Sequence, residues 1–418
     1  MNAKRGDVLI LGGGAIGLAC ALYLLRAGRS VAVLDRGTVG GATSHGNCGT
    51  ITPSHALPLA APGVLSQALR WMLKKDAPLR ISPRPDFATL EWLLQFARRC
   101  NARDCRHAAS LKTPLLLRAR AELEELVRNE KLDCEFQAQG TMNVFRDARA
   151  FEKSHASTRL AAEFGIVVET LDGAACRRRE PVLNDSIVGA HFHPGDAQLR
   201  PERYSAELAR AVAAIGGEIH EGTQITGFRT GKGRIESVAT TQGEFAGRDI
   251  VFALGSWSPL LARQLDLRIP IQPGKGYSIT YTRPARCPRI PLTLKERAVC
   301  VTAWDSGYRL GSTMEFSGYD DTLNRTRLDA LRRGAAEYLS EPEGPQIVEE
   351  WYGWRPMTYD DLPILGRAAT LQNLVLATGH GMLGITMSAI TGKLIAETVC
   401  DAPPSLDIAP FGPSRFGI

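Results

Sequence analysis

At 418 residues, with 44% hydrophobic and 22% charged residues, the chain has the composition of an ordinary globular protein with two or three domain equivalents and a sizeable core. A net charge of +6 and a pI near 8.9 are spread over many arginines without a basic run, which argues against nucleic acid as a partner and leaves an anionic substrate or a membrane surface. Nine scattered cysteines with no C-x-x-C pair suit reduced thiols in a cytoplasmic protein and argue against a disulfide framework or a zinc site, so no bound metal is expected.

The segment from Asp7 to Arg36 demands a particular kind of ligand. Residues 8–11 form a short apolar strand, Gly12-Gly13-Gly14-Ala15-Ile16-Gly17 a turn, 18–27 an Ala/Leu-rich helix ended by Gly28, and 31–34 a second strand that delivers Asp35. Gly12 permits the tight turn, Gly14 lets the backbone approach a pyrophosphate, and Gly17 lets the helix lie close on the sheet. The free N–H groups at the helix start then face the phosphates. Asp35, about 20 residues on, is placed to accept both hydroxyls of an adenosine ribose and disfavours a 2′-phosphate. Strand, helix and acid together make a dinucleotide site, with FAD and NAD still to be separated. The segment before it, residues 1–6, lacks the apolar stretch of a signal peptide, and no apolar run is long enough to span a membrane.

Residues 40–53, rich in glycine and small polar side chains, read as a loop that can lie against a flat ring system. Two amphipathic helices follow at 64–75 and 87–99, separated by the Pro-rich 77–85. Their basic residues and Trp71 and Trp92 fit either an anionic membrane surface or, as is more usual, a face that covers the protein's own core. Helices are expected at 111–129, 204–215 and 325–339. Strands are expected at 140–145, 218–228, 234–241 and 249–254, then at 275–281, 299–302 and 308–312. The strand at 249–254 ends in Leu254-Gly255-Ser256-Trp257, a turn able to approach a cofactor. No internal repeat or low-complexity tract occurs.

The chain closes on a second strand–turn–helix unit: 374–377, then Gly379-His380-Gly381-Met382-Leu383-Gly384, then a helix over 386–399. The start of this second helix would place its partial positive charge at the far end of a long cofactor, where it would stabilise a reduced flavin anion. That is a reason to prefer FAD over NAD. Just before it, Arg355-Pro356 offers a planar guanidinium that can grip a carboxylate through two parallel hydrogen bonds. Tyr277 and Tyr308 are equally readable as helpers or as strand aromatics.

Several of these segments carry a family likeness: Thr43-Ser44-His45-Gly46-Asn47, Ile51-Thr52-Pro53, Ala61-Pro62-Gly63, Lys275-Gly276-Tyr277-Ser278, Arg355-Pro356-Met357-Thr358 and Thr378-Gly379-His380-Gly381. Over almost its whole length the chain resembles the D-amino-acid oxidase superfamily, in particular the bacterial D-amino-acid dehydrogenase small-subunit branch, which includes cis-4-hydroxy-D-proline dehydrogenases. The resemblance implies an α/β fold in which a Rossmann-like FAD-binding domain (1–60, 155–268, 345–418) is interleaved with an α+β substrate domain built on a mixed sheet (61–154, 269–344). It implies that Arg355 binds the substrate carboxylate, that a tyrosine near Tyr277 closes over it, and that 379–384 supports the flavin; Tyr308 and His380 are further candidates for substrate contact. The cofactor set is then Gly12, Gly14, Ala15, Ile16, Gly17, Asp35, Arg36, Thr43, Ser44, Asn47, Gly49, Gly255, Gly379, Gly381, Met382, Leu383 and Gly384. The related sarcosine-oxidase branch attaches FAD through a cysteine just before its C-terminal turn and places a lysine above the flavin; residues 351–379 here hold no cysteine and 311–320 no lysine, so the resemblance implies non-covalent FAD and leans toward a dehydrogenase over an oxidase. The expected activity is hydride transfer from a small D-amino acid to FAD, with electrons passed to a respiratory quinone or another acceptor. An oxygen-using oxidase and a flavin-bearing subunit of a larger complex are the alternatives.

Overall fold

The structure, a computed structural model, describes residues 4–72, 77–82 and 86–418. Its first sheet runs in the order Ile225–Gly231, Arg234–Thr240, Gly243–Phe252, Lys4–Leu11, Val31–Leu34, Glu218–His220. The long strand Gly243–Phe252 forks: its start pairs antiparallel with Arg234–Thr240, and its end pairs parallel with Leu374–Thr378, which in turn holds Ile364–Arg367. Val31–Leu34, Lys4–Leu11, the end of Gly243–Phe252 and Leu374–Thr378 are therefore four neighbouring parallel strands whose carboxyl ends open on one side.

Helix Ala15–Arg26 buries nearly all of its Ala and Leu side chains because it is enclosed by the sheet and by the helices Pro201–Ala214 and Gly384–Val399. Each fully buried leucine there contributes roughly 1.5–3 kcal/mol. The crossing is tight at Gly392, where a Cβ would lie 2.7 Å from the Ala19 carbonyl oxygen. That glycine lets the two helices, from opposite ends of the chain, run side by side.

The second sheet has the order Ile347–Thr358, Ile271–Tyr281, Gly307–Phe316, Val299–Trp304, Leu292–Leu294, Thr141–Phe145, Gly189–His193, Glu169–Asp172, with Leu79–Ile81 added beside Gly307–Phe316. Strand alternation divides its residues cleanly. One face, with Tyr277, Ile279, Tyr281, Tyr308 and Leu310, packs on Leu328, Leu331 and Ala335 of helix Arg325–Ala336. The other face, with Ser278, Arg309 and Gly311, meets the glycine-rich loop after Asp35: Ser278 Oγ donates to Gly46 O (2.7 Å) and Arg309 Nη1 to Asn47 O (2.7 Å).

Several expectations change. Glu169–Asp172, Gly189–His193 and Ile347–Thr358 all join the second sheet, so divisions at 155 and 345 do not follow the sheets. The expected helix 111–129 is Ala102–Asn129; Asn101 caps it by accepting from Asp104 N, and Pro114 is accommodated inside it. Leu115, Leu116 and Ala119 of this helix pack on Met387, Ile390 and Leu394, so it belongs with the first layer and not with the substrate side. The strand expected over 218–228 is broken between His220 and Ile225, where Thr223 N donates to Asp35 O (2.7 Å) and folds the chain across the end of Asp35. Helices Ala148–Glu163 and Gly173–Arg179 and the strand Ile364–Arg367 were not expected.

The amphipathic pair also departs from the more usual reading. Helix Val64–Met72 buries none of its residues, and Leu69 and Met72 are 66% and 52% exposed; residues 73–75 of the expected helix lie outside the described residues, as does part of the Pro-rich 77–85. Phe87–Arg99 forms as expected but buries only Trp92, whose Nε1 donates to Met357 O (3.0 Å), while Phe87, Leu90 and Leu94 are exposed. The first helix covers no core, whereas the second covers it only through Trp92, which packs on Phe316 of the second sheet (ring centroids 5.3 Å). Among the described residues no helix is long and apolar enough to cross a membrane, and no group of three or more His, Cys, Asp or Glu is placed to hold a metal ion.

Candidate functional site

The carboxyl ends of the parallel strands open into a cleft enclosing about 1470 Å³ of free space, part of it continuous with solvent. At one end Gly12 leaves the first strand at φ +104°, a conformation open mainly to glycine, and a Cβ there would lie 2.5 Å from Ala253 O. Gly17 works from behind: its Cβ would lie 1.9 Å from Gly12 O, so only glycine lets the helix start beneath the turn. Ser44 Oγ accepts from Ala15 N (3.0 Å) and ties the glycine-rich loop to the helix start. Gly12, Gly14, Ala15, Ile16, Asp35, Arg36, Thr43, Ser44, Asn47 and Gly255 all line the cleft.

Asp35 does more than wait for a ligand. Its Oδ2 accepts from Gly13 N (2.7 Å) and its Oδ1 from Gly37 N (2.9 Å), so it braces the turn while each oxygen retains a lone pair. Burial pushes its carboxyl above the usual range, and those two N–H groups oppose the shift. Thr223, Gln224 and Ile225 complete this end through the broken strand described above.

At the other end stand Arg355, Pro356, His380, Gly381, Met382 and Gly384, with Ile385 in the first turn of helix Gly384–Val399. Gly381 N donates to Pro356 O (3.0 Å), which pins the second glycine turn to the strand that carries Arg355. Trp354 O accepts from Thr43 Oγ1 (2.7 Å) and Ser256 Oγ (2.6 Å), so three distant segments fix that strand. Among the described residues Arg355 has one hydrogen-bond partner, Thr313 O at 2.7 Å from Nη1, and no carboxylate. The carbonyl is turned toward it by a bulge in which Ser312 and Thr313 have φ of 112° and 56°. Burial lowers the Arg355 pKa, with the nearby Cys48 and Cys300 thiols opposing. His380 is 4% exposed, its Nε2 is 3.0 Å from Thr391 Oγ1, and burial lowers its pKa to about 3, so the ring is neutral at ordinary pH.

Two expected site residues are placed elsewhere. Tyr277 donates to Glu315 Oε2 (2.9 Å) and Tyr308 to Pro342 O (3.2 Å), both buried on the sheet face that packs on helix Arg325–Ala336. Arg355 lies over Gly276, on the opposite face, and successive strand residues cannot share a face, so neither tyrosine reaches the cleft. Gly17, Gly49, Gly379 and Leu383 do not line the cleft either; they shape its walls. Gly49 has φ +65° against Leu199 O, Gly379 has φ +75° against Thr358, and Leu383 is buried at the start of the second helix. Sequence reasoning missed Leu34, Ala42, Thr223, Gln224, Ile225, Leu260 and Leu261. Leu34 and Ala42 adjoin segments the sequence singles out; the others are apolar or uncharged polar residues brought to the cleft by tertiary packing, with no local signal to mark them.

The cleft fits a dinucleotide joined to a flat ring. Two helix starts without side-chain caps face it, its first glycine turn has no room for a Cβ at Gly12, and its walls at Ile225, Leu260, Leu261 and Ile385 are apolar. The profile of the FAD-dependent oxidoreductase family, DAO, matches residues 7–398. The chain belongs to this family and is an FAD-dependent oxidoreductase. A D-amino acid dehydrogenase from Granulibacter bethesdensis is 33% identical over 98% of this chain and 99% of its own length. Among solved structures, a glycine oxidase from Geobacillus kaustophilus has a TM-score of 0.80 at 24% identity, covering 98% of both chains. An L-proline dehydrogenase from P. horikoshii has a TM-score of 0.75 at 18% identity over 99% of this chain and 98% of its own. At those identities the two structures establish the fold.

Proposed function

We propose that the chain is an FAD-dependent dehydrogenase that oxidises the Cα–N bond of a small D-amino acid, with D-proline and cis-4-hydroxy-D-proline as the cyclic candidates. One observation carries this reading: a guanidinium, Arg355, lines the cleft and, among the described residues, has one N–H on Thr313 O and no carboxylate partner. Such a fork matches a substrate carboxylate in both charge and shape. The name shared by the sequence relatives supports the same class of substrate.

Held by the two glycine turns and Asp35, FAD would supply the two-electron acceptor for the substrate α-hydrogen. The chain's own part is to hold and orient. Arg355 fixes the carboxylate, Pro356 and Gly381 lock that strand to the second glycine turn, and the start of helix Gly384–Val399 would favour negative charge on a flavin bound in this part of the cleft. A substrate amine bound neutral expels hydride with its own lone pair, so no dedicated base is needed, and the neutral, hydrogen-bonded His380 is not asked to provide one. The imine product leaves to hydrolyse to a 2-oxo acid; a proline-like substrate leaves as a cyclic imine.

A respiratory quinone or another carrier is the acceptor in this reading. The one lysine on the neighbouring strand, Lys275, has its Nζ on Asp320 O and Thr322 O and does not line the cleft, which supports a dehydrogenase over an oxidase. The exposed apolar residues Leu69, Met72, Phe87, Leu90 and Leu94 support a peripheral contact with the inner face of the membrane. An anaerobic screen of both enantiomers of the amino acids, prolines included, tests the whole reading. Bleaching of the flavin by D-amino acids is expected, with dye-coupled turnover and little peroxide in air. Bleaching by L-enantiomers alone, or by none, would overturn it; stoichiometric peroxide would establish the oxidase instead.

A further inference from the structure

Two cysteines from distant parts of the chain meet beside Arg355. Cys48 rides on the glycine-rich loop, and Cys300 belongs to the strand Val299–Trp304. Across the ladder from Cys300 stands Gly311, and the Cys48 sulfur fills the place of its missing side chain: a Cβ at Gly311 would lie 2.6 Å from Cys48 Sγ. Gly311 is thus what admits a second thiol next to the first, and the two thiols are within hydrogen-bond reach of one another.

The surroundings make the pair reactive in an ordered way. The hydrogen bond with Cys300, helped by the charges of Arg309 and Arg355 and opposed by burial, holds the Cys48 pKa below the usual thiol value, whereas Cys300 is held well above it. One thiolate nucleophile beside one resolving thiol is the arrangement that thiol–disulfide exchange requires. Both are half-buried and neither has a part in the amine oxidation. Cys20, Cys105, Cys134 and Cys176, by contrast, are buried, and burial raises the pKa of each.

We propose that Cys48 and Cys300 are a two-thiol modification site, which a small low-molecular-weight disulfide converts to an intramolecular disulfide that obstructs amino-acid binding. The Cys48 thiolate attacks one sulfur of the reagent, forming a mixed disulfide and expelling a thiolate. Cys300 then gives up its proton and attacks the Cys48 sulfur, expelling the second thiolate. Two protein thiols are oxidised by two electrons and the reagent disulfide is reduced to two thiols. Bringing the sulfurs to covalent distance draws residues 47–49 onto the sheet, shifting Asn47 in the cleft wall and the ground next to Arg355. The consequence for substrate rests on Arg355 binding the amino acid; the bridge itself does not.

The test treats the FAD-loaded protein, under argon, with bis(2-hydroxyethyl) disulfide, followed by non-reducing peptide mass spectrometry and kinetics. The expected result is a Cys48–Cys300 linked peptide and a KM for the amino acid raised at least about tenfold, with FAD still bound and both changes reversed by dithiothreitol. Cys300→Ser should stop at a mixed disulfide on Cys48. Absence of the linked peptide, or a bridged protein with unchanged KM, overturns the proposal. Should no amino acid bleach the untreated flavin, the peptide map still reads the bridge, and the failure then belongs to the amino-acid reading.

Discussion

The guanidinium of Arg355 lies over Gly276 on the neighbouring strand, so close that a Cβ at Gly276 would fall 2.4 Å from Nη1. A strand interior is an unfavourable place for glycine, and here its absent side chain is what gives the arginine its position. Gly276→Ala should push the guanidinium away from Thr313 O while the sheet still forms. Kinetics with the bleaching amino acid should show kcat/KM down by about 10- to 100-fold, the worth of one charge-assisted hydrogen bond. Wild-type kinetics in this variant would mean that the arginine has room to move without consequence.

Arg355→Leu removes the group itself. Without its fork to grip the carboxylate, substrate binding at this half-buried position should weaken by on the order of 2–5 kcal/mol, with turnover gone at ordinary concentrations and the yellow colour kept. Absorbance spectra and steady-state rates on the same sample separate the two effects. Retained turnover would remove Arg355 from the site.

Asp35 braces Gly13 and Gly37 through their N–H groups, so Asp35→Ala should loosen the first turn as well as remove the ribose acceptor. FAD affinity is expected to fall by roughly 1–3 kcal/mol, the cost of leaving buried donors without a partner. The rise of free-flavin fluorescence on dilution measures it. An unchanged dissociation constant would show that the carboxylate serves neither purpose.

Acid should weaken the fold in a defined window. His191, His193 and His380 are nearly fully buried, and burial lowers the first two to about 4 and the third to about 3, against about 6.5 for an unfolded ring. The unfolded chain therefore binds protons that the native rings refuse, and stability falls as pH drops from about 6.5 toward 4. Asp196 acts oppositely: burial raises it to about 6, so it takes up a proton in the fold first and returns stability between about 6 and 4. His55, lowered to about 3 by burial, adds to the three rings, so the lowered imidazoles outnumber the opposing Asp196 carboxyl, at on the order of 1.4 kcal/mol per pH unit for each uncompensated proton. The urea midpoint should drop between pH 7 and pH 5; a midpoint that rose would contradict the assignment of these rings as neutral.

What the amino-acid order determines by itself is local and chemical. The strand, glycine turn and helix from Lys4 to Arg26 form as their residues dictate: Gly17 answers a contact with Gly12 and Ile10 in that same unit, and Gly12 takes the positive φ that the turn needs. Helix Phe87–Arg99, capped by Asp86, is likewise readable from its own residues, and so is the second turn ahead of helix Gly384–Val399. Which of these pieces share a cleft was decided only by packing. The two glycine turns face one space because Gly392 lets the second helix lie against Ala19, a relationship between residues hundreds of positions apart. The same holds for face: Tyr277 and Gly276 are adjacent in the chain, yet pleating sends one into the core and leaves the other beneath Arg355. Residue type could nominate a tyrosine for the site, but the side of the sheet it occupies depends on strand register, and register is set by partners that local sequence does not name.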